Sequence, residues 1–145
     1  MFLFFLFLFA TTSITLSSVR AQQQTSEWAA YTSTKLVNRV LVLENAVWSA
    51  TSGGVLLFDQ NTQTYTRFTR LNGLAGNKVL SMTVDFGGHL WFGTDQEGLS
   101  RYRPETGNFD PPFLDFKDLR IQTLAAAEDR IFVGTDKGIS AFLID

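Results

Sequence analysis

The sequence predicts an all-β chain of four-stranded β-propeller blades, and three observations carry the prediction. A short phrase occurs three times, as Val47 to Val55, Leu90 to Leu99 and Ile131 to Ile139. Its threonines Thr51, Thr94 and Thr135 stand 43 and 41 positions apart. A period of about 40–50 residues holding several short strands is what one blade occupies. Within each unit, apolar residues alternate with period two and the alternation stops at Gly, Pro, Asn and Asp, as half-buried strands between turns do.

The elements follow in chain order. Met1 to Ala10 is apolar, polar and small residues follow, and Val19-Arg20-Ala21 sets small residues at the spacing of a cleavage site. The unbroken apolar run is about half the ~20 residues of a membrane span, so residues 1–21 are read as a signal peptide. Residues 22–145 are read as a partial propeller. Trp28-Ala29-Ala30-Tyr31-Thr32 matches Tyr65-Thr66-Arg67-Phe68-Thr69, which predicts an orphan outer strand at about 27–33. Blades are expected at about 37–69, 79–113 and 121–145, the last without an outer strand.

The middle unit shows the pattern best. Val79 to Val84 reads as a first strand, Asp85-Phe86-Gly87-Gly88 as a tight turn, and His89 to Thr94 as a second strand. Asp95 to Gly98 reads as a loop and Leu99 to Arg103 as a third strand. Asn108 to Phe113 reads as an outer strand, because Pro111-Pro112 suits only a sheet edge. Trp91 and Gly93 share one face of the second strand, as do Trp48 with Ala50 and Phe132 with Gly134. A large ring beside a small residue lets stacked sheets fit without overlap, so these rings are expected in the inter-blade core. Phe58, Tyr102 and Phe142 repeat in the third strand. Thr51, Thr94 and Thr135 are expected to close the following loops by local hydrogen bonds.

Two blades and most of a third form an incomplete N-terminal arc, too few for a ring of four to eight blades. The first expected partner is therefore the remainder of the propeller, its missing blades. The charge balance of 12 Lys and Arg against 14 Asp and Glu offers no basic face for nucleic acid. Outside the signal peptide no membrane span is expected. The absence of cysteine excludes disulfides and Cys-based zinc sites.

The search for chemistry predicts no catalytic residue, no metal site and no cofactor. His89, the single histidine, is read as a solvated turn residue. No nucleophile elbow, phosphate-binding glycine loop or His-Glu-x-x-His run occurs. Binding on a rigid scaffold usually lives in loops. The loops between strands two and three open on the same face as the blade connections Leu71 to Lys78 and Asp115 to Arg120. Asn72, Asn77, Asp95, Glu97, Asp136 and Lys137 are the candidate ligand-face residues. Leu74 is expected to plug the connection into the core.

The run Asn72-Gly73-Leu74, Asp85-Phe86-Gly87-Gly88-His89-Leu90-Trp91-Phe92-Gly93-Thr94, Gly98-Leu99 and Tyr102-Arg103-Pro104-Glu105-Thr106-Gly107-Asn108-Phe109 resembles the two-component regulator propeller repeat. That resemblance implies an exported protein of the periplasm or cell surface. It is similar to the periplasmic sensor parts of hybrid histidine kinases and to propeller proteins associated with type IX secretion, and it carries no catalytic residues. The leading functional expectation is a non-catalytic envelope module binding a glycan or cell-envelope protein. A ligand-sensing domain of a hybrid sensor kinase is the alternative. A propeller glycosidase or lyase ranks third, since no carboxylate pair stands out.

Overall fold

A computed structural model describes residues 36–144. The signal peptide at 1–21 and the orphan strand at 27–33 lie outside the described residues. Four antiparallel strands in the order β1-β2-β3-β4 make the first blade: β1 Val37–Leu43, β2 Ala46–Thr51, β3 Gly54–Asp59 and β4 Thr64–Phe68. A second sheet has the order β10-β9-β8-β6-β5, with β7 on the edge of β6. Its strands are β5 Val79–Val84, β6 Leu90–Arg103, β7 Asn108–Phe109, β8 Phe113–Ala127, β9 Arg130–Thr135 and β10 Gly138–Leu143. This is an arc of β-propeller blades.

Three segments differ from expectation. The loop expected at Asp95 to Gly98 lies inside one extended element, because β8 runs alongside it and pairs Asp95 with Arg120, Glu97 with Lys117 and Leu99 with Phe113. The connection expected at Asp115 to Arg120 is for the same reason part of β8, with a left-handed kink at Asp118 (φ 64°). The outer strand expected from Asn108 to Phe113 is only two residues long. Pro111 and Pro112 have no N–H to extend the ladder, and Phe113 already belongs to β8.

The alternation of faces sorts the apolar residues into two inter-blade cores. Trp48, Ala50 and Val55 of the first blade meet Val79, Met82, Leu90, Phe92 and Tyr102 of the second, and Leu74 plugs in from the connection. Trp91 and Leu99 face the other way, onto Phe116, Ile121, Leu124, Ile131 and Val133. Trp91 is fully buried. Gly93 beside it leaves no room for a side chain, since a Cβ there would stand 2.3 Å from Ile121 Cγ2. The third copy of the phrase departs from expectation. Phe132 is 36% exposed and not in a core, because each ring packs forward onto the following blade and no strand follows β10 among the described residues.

Candidate functional site

The loop face is built from one device used three times. Thr51, Thr94 and Thr135 each donate a hydroxyl hydrogen bond to the carbonyl of Gly54, Gly98 or Gly138, at 2.8, 2.6 and 3.0 Å. The same oxygens accept from the backbone N–H of Gly53, Glu97 and Lys137. The residue after each threonine then donates its N–H to a carbonyl of the neighbouring inner strand or just before it: Ser52 to Leu36 before β1, Asp95 to Lys78 before β5 and Asp136 to Arg120 within β8. The threonines thus close their turns as expected, and a backbone clasp holds each turn to the head of the innermost strand.

The candidate residues are mostly spent on this framework. Asn72 Oδ1 accepts from the Thr69 N–H and hydroxyl, closing a reciprocal cap on the short 3-10 turn Arg70–Asn72. Asn77 Oδ1 accepts from the Arg70 N–H at 2.9 Å. Asp95 pairs with Lys78 at 2.6 Å and lies 3.8 Å from Arg120. Asp136 Oδ1 accepts from the Arg120 N–H at 3.0 Å. Glu97 pairs with Arg70 at 3.0 Å and packs against Gly76, where a Cβ would meet its carboxylate. Lys137 keeps an ammonium without an ion pair among the described residues.

Of these six, only Glu97 lines the groove that opens on this face. Arg70, Ala75, Gln96, Leu114 and Lys117 complete a hollow of about 410 Å³. Those five were not singled out from the sequence. Ala75, Gln96 and Lys117 fall within the segments expected to open on this face, and Leu114, 60% exposed, is an apolar residue stranded beside them.

At the opposite end of the second blade, a polar circuit surrounds Trp91. Its indole N–H donates to Asp85 Oδ2 at 2.8 Å. The other Asp85 oxygen accepts from the His89 N–H at 3.0 Å, and the His89 ring lies 3.1 Å from Oδ2. His89 Nε2 faces Glu105 at 3.6 Å and Arg103 at 3.4 Å. Arg103 Nε donates to Asp110 Oδ1, and Arg101 Nε donates to Asp110 Oδ2. The Arg101 guanidinium sits 5.2 Å over the Trp91 ring, which closes the circuit. His89 is therefore not the solvated turn residue expected: its side chain is 17% exposed and held between carboxylates.

The electrostatics of the circuit are those of fixed charges. Burial opposes the Asp85 charge, but hydrogen bonds from the Trp91 indole and from the His89 backbone and ring outweigh it and hold the carboxyl below the usual range. Burial likewise opposes the charge on Asp110, and its bonds from Arg103 and Arg101 prevail in the same direction. Carboxyls held low stay ionised at neutral pH, the opposite of what a general acid requires. No group of three or more metal-ligating side chains occurs among the described residues.

Residues 73–96 match the model of the family described as the two component regulator propeller. Among solved structures, the chain is similar to the extracellular domain of a chain described as a hybrid two component system of B. thetaiotaomicron. Identity is 21% and TM-score 0.61, over 73% of this chain and 15% of that one. The extracellular domain of a chain described as a one component system of the same organism is 24% identical, with TM-score 0.60 over 74% of this chain and 15% of its own. PorZ, a bacterial surface component of the type-IX secretion system of Porphyromonas gingivalis, is 18% identical, with TM-score 0.56 over 76% and 18%. No curated protein matches by sequence. The likeness is one of fold, and the chain spans about 15% of the length of the first two of these structures.

Proposed function

We propose that the chain is an arc of an exported, non-catalytic β-propeller that binds or scaffolds at the cell envelope. One observation carries the reading. The loop carboxylates and amides are spent on fixing the loop face, which leaves a rigid groove with Gln96, Leu114 and Lys117 on its surface. A rigid polar groove suits binding, and the carboxyls with displaced titration are held ionised rather than poised as acids. Further blades cover the outward face of the third blade, where Phe132, Ile139 and Leu143 are exposed. They also cover the rear face of the first, where Val47, Leu56, Phe58 and Tyr65 line a shallow apolar hollow.

The second reading, a ligand-sensing domain of a two-component receptor, is favoured by the likeness to two extracellular domains of such systems. A glycan or an envelope protein is the partner class in either case. Calorimetry against envelope glycans and solubilised envelope proteins, with product analysis of every binder, tests the proposal. Binding without turnover is the expected outcome, and turnover of any ligand contradicts it. Deletion of the gene in its source organism separates the readings: loss of protein export supports scaffolding, and loss of a ligand-induced transcriptional response supports sensing.

A further inference from the structure

The turn end of the first blade interface carries two hydrogen-bond donors that stand unused among the described residues. In the strand registers Trp48 lies opposite Leu41 and Val47 opposite Val42, as Trp91 lies opposite Thr83 and Leu90 opposite Val84. The residue that follows is Asp85 in the second blade and Leu43 in the first. Asp85 accepts the Trp91 indole N–H, whereas Leu43 has nothing to offer Trp48. Trp48 Nε1 and Tyr102 Oη have no hydrogen-bond partner among the described residues, although the two residues are only 4% and 8% exposed. No buried side-chain nitrogen or oxygen among the described residues lacks a partner, so both donors reach the surface.

They reach the same surface. Trp48 and Tyr102, with ring centroids 5.2 Å apart, line a hollow of about 320 Å³ rimmed by Glu44, Asn45 and Asn61. It adjoins an apolar hollow of about 340 Å³ walled by Leu43, Val84, Leu90 and Pro104, with Trp48 common to both. The next interface lacks this chemistry, since Asp85 occupies the Trp91 donor and Phe142 stands at the position of Tyr102.

The ligand must bring acceptor oxygens to an N–H and an O–H, an apolar body for the adjoining hollow, and no negative charge beside Glu44. A sugar bound by ring stacking finds no free face, since Trp48 already stacks on Phe68 at 13°. An extended peptide meets every requirement, and a proline-containing one keeps its carbonyls unpaired and its backbone ordered before binding. We propose that the groove between Trp48 and Tyr102 binds an extended, proline-containing peptide with a basic residue. Its backbone carbonyls accept from the indole and the phenol, and its basic side chain pairs with Glu44. The site lies at the opposite end of the blades from the loop-face groove, so it stands or falls independently of that reading.

The experiment titrates the capped hexapeptide PPLPRP into the full chain labelled with nitrogen-15, following the tryptophan indole resonances. The Trp48 indole N–H is expected to shift saturably and the Trp91 N–H to stay in place. Tyr102→Phe removes one donor while keeping the ring, and weakens binding about fivefold, the worth of one net hydrogen bond. Leu43→Asp gives Trp48 the acceptor that Trp91 has, and abolishes binding with the far-UV spectrum unchanged. No saturable shift of Trp48 at millimolar peptide overturns the proposal, as does undiminished binding by Tyr102→Phe. A Trp48 shift with maltohexaose and none with the peptide also overturns it and assigns the groove to polyols.

Discussion

Replacing Trp91 by alanine removes the ring on which the second blade packs against the third. Trp91 is fully buried, and a tryptophan side chain buries roughly 150–250 Å². At about 25 cal/mol per Å² the transfer loss alone is ~4–6 kcal/mol, and large-to-small changes at such sites cost about 3–5 kcal/mol. The substitution also strips Asp85 of its 2.8 Å donor, and a buried carboxylate short of a partner costs a further ~1–3 kcal/mol. A total of about 4–8 kcal/mol approaches the whole stability of a small domain. Urea denaturation followed by far-UV circular dichroism reads the change as a lowered midpoint at constant slope. The internal control is Phe132→Ala, at the same place in the third copy of the phrase. Phe132 is 36% exposed, so its loss is expected to stay below about 1 kcal/mol. Equal losses at the two positions, or a loss below about 1 kcal/mol for Trp91→Ala, would refute the forward-packing argument.

Three further outcomes follow from the same geometry. Asp85 and Asp110 titrate below the usual carboxylate range when folded, so the stability they contribute is complete above the unfolded value of about 3.9. It is lost as pH falls through the folded values, and Asp110→Asn should flatten that acid limb in a pH series of urea midpoints. Gly93→Ala drives a methyl into Ile121 and Ser81, which stand 2.3 and 2.5 Å from the added carbon, and should cost about 1–3 kcal/mol in the same assay. Thr94→Val keeps the shape but leaves the Gly98 carbonyl and the Glu97 N–H without their partner. It should cost about 1–3 kcal/mol, and hydrogen exchange should rise first at residues 95–98.

The face pattern was legible in the sequence because period-two alternation is a local signal. Trp48 with Ala50 and Trp91 with Gly93 assigned the inter-blade face, and the structure buries both rings there. What was not legible depends on segments distant in sequence. Asp95 to Gly98 reads as a loop until β8, some twenty residues on, lies beside it in register. His89 reads as a solvated turn residue until two hairpins bring Asp85, Arg103 and Glu105 around it. The candidate site residues depend on distant segments in a related way. Asn72, Asn77, Asp95 and Asp136 have the polarity of ligand-binding residues, yet each meets an unpaired backbone or charged group of its own framework. The unused donors of the first interface were hidden because an ordinary-looking Leu43 gains meaning only when the register aligns it with Asp85.

The central claim is that these blades are units of a larger ring, each ring-bearing face made to be covered by the next. Size-exclusion chromatography with light scattering on the 145-residue chain, with and without a hydrophobic dye, tests it most directly. The exposed apolar positions Phe132, Ile139 and Leu143 at one end and Val40 and Val42 at the other predict self-association and dye binding. A monodisperse monomer that binds no dye would contradict the account.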